Sequence, residues 1–193
     1  GELMFRGGEE RPGTMAAVLG LDDDAVDAVC REASTDTEVC VAANYHAPGP
    51  IGTSGAVPAV ERAMELAKEK GARRALRLNV SGAFHSPLMR VAEEGLAVQL
   101  ESTDLAAPIY PVVSNVDASP VADAATARRL LVSQLTSPVR WTGCIRTMRE
   151  AGVNRFLEIG PGSVLSGLLK RIDRQAESLT LGTADEVASF LGA

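Results

Sequence analysis

Apolar positions fall into two regimes along this chain. Residues 14–21 (TMAAVLGL) form an apolar run of strand length, and Asp22 is placed to cap a helix over 23–33. Residues 38–45 (EVCVAANY) alternate and are β-branched; after the HAPGP turn a second strand, 51–54, ends at Gly55, which predicts a hairpin. Over 57–70, Val60, Met64 and Ala67 share one stripe, with Glu61, Arg62, Glu65, Lys68 and Glu69 away from it, and Gly71 stands where that helix stops. Residues 74–80 (RALRLNV) alternate again as a strand. The order over 13–80 is β-α-β-β-α-β, the split βαβ arrangement of a ferredoxin-like sandwich.

From Ser86 onward longer helices alternate with short apolar strands, which predicts a second unit of α/β type and a boundary near Ser81. Pro87 suits the first turn of a helix running to about Glu101, and residues 109–113 (IYPVV) read as a buried strand. Helices are predicted over 123–135 and 141–151, the latter ended by Gly152. A strand over 155–159, the turn Gly160-Pro161-Gly162 and a helix over 164–172 capped by Ser163 follow. A strand near 178–181 and a helix over 185–191 close the order.

Composition narrows what such a fold can do. With 46% apolar residues the chain has enough to build a core, and 19 Lys and Arg against 25 Asp and Glu give a net charge of −6, which argues against nucleic acid as the main partner. The longest uncharged stretch, 39–60, is broken by Asn44, Tyr45, His46 and several Pro and Gly residues, so it does not read as a membrane span. The opening GELMFRGGEERPG carries charge where an export signal needs an apolar stretch, so the expected location is the cytoplasm. The three cysteines, Cys30, Cys40 and Cys144, have no CxxC spacing and read as small packed residues rather than a disulfide or zinc framework.

Few side chains remain for chemistry near neutral pH. The two histidines are His46 and His85. His85 sits in SGAFHSPLM, where a strand passes to a capped helix, the place at which α/β proteins project side chains into a ligand crevice; residue type alone leaves a catalytic and a structural role open. His46 follows Asn44 and Tyr45 in a Pro/Gly-rich turn, where a solvated loop residue is the simpler reading. The GPG turn before Ser163 presents backbone N–H groups that suit an anion, yet it lacks the spacing of the common phosphate fingerprints. The two histidines lie 39 positions apart and no local carboxylate cluster accompanies either, so no metal is expected.

Together the segments GTMAAVLGL (13–21), AANYHAPGP (42–50), SGAFHSPLM (81–89), APIYPVVSNVDASPV (107–121), QLTSPVRW (134–141) and EIGPGSVLSGLLKRI (158–172) resemble the malonyl-CoA:acyl carrier protein transacylase family, in family order over nearly the whole chain. The resemblance implies an α/β fold in which 8–80 is a ferredoxin-like small subdomain, while 1–7 and 81–193 belong to a larger α/β-hydrolase-like acyltransferase subdomain. It implies malonyl transfer from coenzyme A to the pantetheine thiol of acyl carrier protein through a serine ester, with the thioester as substrate. His85 is then the general base, its ring oriented by the backbone carbonyl of Gln134, a reduced triad with a main-chain oxygen in place of a carboxylate. Phe84 matches the bulky residue of malonyl-selective members, and Asn44 a residue lining the pantetheine channel.

The departures shape further expectations. The family's nucleophilic serine lies in GHSxGE, upstream of an Arg-Gly pair whose arginine binds the malonyl carboxylate; Gly1 aligns with that glycine, and Arg6 lies too late to replace the arginine. The serine is therefore expected from outside these residues, in an amino-terminal half of the same protein or in a separate chain. Ser86, beside His85, lacks the Gly-x-Ser-x-Gly context. His46 stands where the family usually has Asn, which places it among the substrate-binding residues, and Pro50 replaces a usual Gln. A non-catalytic acyl-CoA or carrier-protein binding module, or an inactive fragment, is the alternative reading.

Overall fold

The computed structural model describes residues 1–192. Its elements run α1 (Glu2–Glu10), β1 (Gly13–Leu19), α2 (Asp23–Ala33), β2 (Cys40–Asn44), β3 (Pro50–Ala56), α3 (Val57–Glu69), β4 (Arg74–Arg77), a 3-10 turn (Pro87–Met89) and α4 (Arg90–Glu101). They continue with β5 (Val112–Val113), β6 (Pro120–Val121), α5 (Ala124–Ser133), α6 (Trp141–Glu150), β7 (Arg155–Ile159), α7 (Val164–Ile172), β8 (Glu177–Leu181) and α8 (Ala184–Leu191). Two compact units, 1–144 and 145–193, divide within α6.

In the first unit, β1 to β4 form an antiparallel sheet in the order β2-β3-β1-β4. The Asp22 carboxylate starts α2 by accepting from the Ala25 amide at 2.8 Å. Helices α2 and α3 lay Val26, Val29, Cys30, Val60, Ala63 and Ala67 against Ala16, Val18, Ala42 and Ile51 of the sheet. Val18, Val26, Val29 and Val60 have no exposed surface, and burying a side chain of this size stabilises by about 1.5–3 kcal/mol. The opposite sheet face is left to the loop that carries His85. Gly13 permits the approach, because a Cβ there would lie 2.6 Å from Ala83 Cβ and 2.9 Å from Leu88 Cδ2.

Helix α1 is absent from the sequence reading, since Gly7 and Gly8 argue against a helix interior. Tertiary packing overrides that propensity: Gly7 is buried beside Ala92 of α4, and a side chain at Gly8 would meet the Ser81 carbonyl at 2.8 Å.

Residues 109–113 correct the expectation of a buried strand. Only Val112 and Val113 pair, with Pro120 and Val121, and Ile109 is 92% exposed. Pro108, Pro111 and Pro120 lack the N–H a longer ladder needs.

In the second unit β7 and β8 form a parallel pair in register from Arg155 with Glu177 to Ile159 with Leu181. Ser163 does not cap α7 through its side chain, contrary to the sequence reading. Glu158 of β7 does so, accepting from the Leu165 amide at 2.9 Å and the Ser166 amide at 2.7 Å. A full negative charge suits the positive end of a helix better than a hydroxyl. Thr183 and Glu186 form a capping box at the start of α8. Arg149 and Asp173 pair at 2.7 Å.

Candidate active site

His85 lies between β4 and the 3-10 turn with φ +58, a left-handed conformation uncommon for a residue with a Cβ. Its neighbours hold it there. The Ser86 hydroxyl donates to the Ala83 carbonyl at 2.7 Å and accepts from the Leu88 amide at 3.3 Å, while the Met89 amide donates to the Ser86 carbonyl at 3.0 Å. The half-buried imidazole is thereby turned towards the end of α5.

There Nδ1 of His85 lies 3.0 Å from the backbone oxygen of Gln134. A carbonyl only accepts, so Nδ1 carries the hydrogen and Nε2 of the neutral ring bears the lone pair. The carbonyl is available for a local reason. Gln134 is the C-terminal cap of α5, and the residue four further on, Pro138, has no N–H to claim its oxygen. The Gln134 amide side chain closes the following turn, donating to the Ser137 carbonyl at 3.0 Å and the Pro138 carbonyl at 3.4 Å. Thr136 ties the same turn to Glu93 of α4 at 2.9 Å.

Asn44 reaches the site through an irregularity in β2. Ala42 opposes Thr53 and Asn44 opposes Gly52, so β2 spends two residues against one step of β3. This bulge moves Asn44 off the face that Ala42 shares with the helices and onto the face of Met15, which strict alternation would not do. Gly52 leaves room for it, since a Cβ there would lie 2.5 Å from Asn44 Oδ1. The segment that follows Gln134 also fixes this strand end. Tyr45 N donates to the Val139 carbonyl at 2.9 Å, and Val139 N donates to the Ala43 carbonyl at 2.8 Å.

Met4, Met15, Asn44, Phe84, His85, Met89 and Leu135 line an open cavity of about 450 Å³. His46 is an exposed residue outside this lining, with Nε2 3.4 Å from Asn44 Nδ2. Removal from water, and then the positive charge His85 carries when protonated, shift the His46 ring below the ordinary imidazole range. Next to it Tyr45 is pushed up by its own removal from water and by its hydrogen bond to Asp27, 2.7 Å away. The arrangement offers a neutral imidazole nitrogen, an amide and an aromatic wall in one apolar pocket, which suits proton abstraction from a hydroxyl or thiol beside an acyl group.

His85, Phe84 and Asn44 line one cavity, the Gln134 carbonyl lies 3.0 Å from His85 Nδ1, and His46 Nε2 lies 3.4 Å from Asn44 Nδ2 outside that lining. Nothing in the sequence marks Met4, Met15, Met89 and Leu135 for this lining; three methionines spread over distant segments carry no periodic signal, although flexible thioethers suit such a site. Ser86 is fully buried with its hydroxyl committed to Ala83, and Arg6 pairs with Glu2 at 2.7 Å. The amides after the GPG turn are taken by Glu158, which burial pushes up but the Leu165 and Ser166 amides hold below the usual carboxylate range. The three cysteines are buried and free. Among the described residues no group of three His, Cys, Asp or Glu is placed to hold a metal ion, and no helix is long and apolar enough to cross a membrane.

Comparison with known proteins gives the same direction. A sequence model of the acyl transferase domain matches residues 4–188. The malonyl CoA-acyl carrier protein transacylase of Haemophilus influenzae is 43% identical over 98% of this chain and 60% of its own length. The crystal structure of malonyl-CoA:acyl carrier protein transacylase (FabD) from Xanthomonas oryzae superposes with a TM-score of 0.91 at 42% identity, over 99% of this chain and 60% of that one. A type II PKS acyl-carrier protein in complex with its malonyl-transacylase contains a chain matched with a TM-score of 0.91 at 38% identity, over 100% of this chain and 62% of that one. The chain thus spans about 60% of the length of the curated relatives it matches.

Proposed function

The chain belongs to the acyl transferase domain family, and on that premise we propose that it carries the general base of a malonyl transfer from coenzyme A to acyl carrier protein. The observation that carries this reading is the bond from His85 Nδ1–H to the Gln134 carbonyl at 3.0 Å, which leaves Nε2 as a proton acceptor in an open pocket shared with Phe84 and Asn44. Relatives similar over nearly the whole chain bear the transacylase name, and one solved relative is held with an acyl-carrier protein.

In this reading Nε2 takes the proton of a serine hydroxyl as its oxygen attacks the malonyl thioester carbonyl. The C–S bond breaks, the coenzyme A sulfur leaves with the proton returned by His85, and the malonyl group stays as a serine ester. His85 then deprotonates the carrier protein's pantetheine thiol, whose sulfur attacks the ester carbonyl; the C–O bond to serine breaks and His85 returns the proton to the serine oxygen. Throughout, Nδ1–H stays on the Gln134 carbonyl, whose partial negative charge also stabilises the imidazolium. Phe84 restricts space beside the acyl group, which favours malonyl over branched units, and Asn44 contacts the pantetheine arm with His46 beside it.

The serine is assigned to polypeptide outside residues 1–193, either a preceding segment or a separate chain. Ser86 is buried and already bonded, and relatives extend well beyond the length matched here. The layered body of β1 to β4 with α2 and α3 is assigned as the ferredoxin-like subdomain; 1–7 and 81–193 are assigned to the α/β-hydrolase-like one. We read the activity as cytoplasmic, in fatty acid or polyketide synthesis, with the thioester as substrate and no further cofactor. The test is malonyl transfer by this chain alone and with an added amino-terminal half carrying GHSxGE. Transfer only in the combined sample supports the assignment. Full transfer by this chain alone removes the account of the serine, and no transfer in either removes the catalytic reading in favour of a binding module.

A further inference from the structure

We propose that His46 is a positioning residue for Asn44: its neutral ring accepts one Asn44 amide hydrogen and keeps the other available to an amide carbonyl of the acyl-bearing arm. The inference rests on the reading of the His85 cavity as a pantetheine thioester site, and it adds a pH-dependent control on substrate binding there. The contact is local and directional. Asn44 Nδ2 only donates, so at 3.4 Å from His46 Nε2 it requires that nitrogen to be unprotonated. The opposite side of the amide is confined, because Oδ1 faces Gly52 so closely that a Cβ there would sit 2.5 Å away. Asn44 is held between a glycine and an imidazole, on a strand end that the bulge has turned into the cavity.

Protonation of His46 converts Nε2 from acceptor to donor. Two donors then face each other, the bond is lost, and the Asn44 amide has to turn, presenting its oxygen where the cavity had a hydrogen. The ionisable groups around His46 fix when this happens. Tyr45 is bonded to Asp27 and overlain by Arg140, so His85 is the group whose charge acts on the His46 ring. Partial removal from water and that charge both disfavour protonated His46, so the acceptor form persists through neutrality. The bond is therefore present above the ordinary imidazole value of about 6.5 and disappears as pH falls through the lower pKa of His46 itself. His46 thus touches the substrate's partner group rather than the reacting atoms.

The first test is side-chain amide NMR of the isotopically labelled chain across about pH 4.5–8.5, a window of about two units on each side of an ordinary imidazole titration. The Asn44 NH2 signals should shift with the His46 ring titration, with a midpoint below that of an ordinary histidine. His46→Ala should abolish the shift, and His85→Ala should retain it with a higher midpoint. Asn44 signals that stay flat through the His46 titration, or that titrate unchanged in His46→Ala, overturn the proposal. The second test is kinetic, in the combined sample that transfers malonyl. His46→Ala should raise KM for the carrier substrate by about three- to tenfold, the value of one lost hydrogen bond, with kcat changed by less than about twofold. His46→Asn, whose amide oxygen accepts without titrating, should restore KM and remove its rise at low pH. An equal fall in kcat, or a low-pH rise in KM that survives in His46→Asn, contradicts the proposal. A sample with no transferase activity but an intact NMR coupling contradicts the proposed function and leaves this positioning role standing.

Discussion

The backbone oxygen of Gln134 accepts the Nδ1 hydrogen of His85, while the side chain of the same Gln134 fastens the turn that presents that oxygen. The two tasks are separable by substitution. A side chain at 134 can be removed without removing the group that orients the imidazole.

His85→Ala is expected to lower turnover in the malonyl-transfer assay by at least about a hundredfold, the usual worth of a positioned general base, without loss of the folded state. Gln134→Ala should lower it by less than about tenfold and lower stability by about 1 kcal/mol through the lost turn bonds. Steady-state kinetics beside denaturant unfolding of both variants check this. A Gln134→Ala loss as large as that of His85→Ala, with the fold intact, would show that the orienting group is not the main-chain carbonyl.

Gly52→Ala places a methyl group against the Asn44 amide and leaves His85 untouched. KM for the carrier substrate should rise while kcat stays within about threefold, because one hydrogen bond to the ligand is displaced and the base is not. The measurement is the KM and kcat pair for this variant beside Asn44→Ala, which should behave alike.

Phe84 stands in the cavity wall next to His85. Phe84→Ser should widen the space beside the acyl group and shift the ratio of kcat/KM for methylmalonyl over malonyl thioester upward by about tenfold or more, the scale of one methyl group in an apolar pocket. Competition between the two thioesters reads this directly.

Glu158 supplies a prediction on pH. Its carboxyl is pushed up by burial but held below its ordinary value by the amides at the start of α7. A carboxylate with a lower pKa in the folded state stabilises fully above its unfolded value, about 4.3, and this stabilisation disappears as pH falls through the folded value. Glu158→Ala should therefore lower Tm at pH 7, and the difference from the parent protein should shrink as the pH is taken below the carboxylate range. Thermal unfolding at pH 7 and at acid pH provides the check.

Much of this architecture is legible from local pattern. Asp22 before an amphipathic run marks α2, the alternation around the HAPGP turn marks the β2-β3 hairpin, and Gly71 and Gly152 mark helix ends with positive φ. What pattern hides is anything decided by a distant partner. Helix α1 contains two glycines whose value lies in close approach to Ala92 and Ser81, and the cap of α7 comes from a carboxylate on the preceding strand. The bulge in β2 is the most consequential case: EVCVAANY alternates smoothly on paper, and only the pairing with β3 reveals that Asn44 changes face. Residues 109–113 mislead in the opposite direction, since their apolarity suggests burial while Pro108 and Pro111 interrupt the ladder.

The central claim is that a main-chain oxygen fixes the tautomer of His85 so that Nε2 is the proton acceptor. The most direct measurement is the nitrogen-15 chemical shift pair of the His85 ring, recorded above its titration in the labelled protein. The account predicts a protonated-type shift at Nδ1 and an unprotonated-type shift at Nε2; the reverse assignment, or a fast-averaged mixture of the two tautomers, would contradict it.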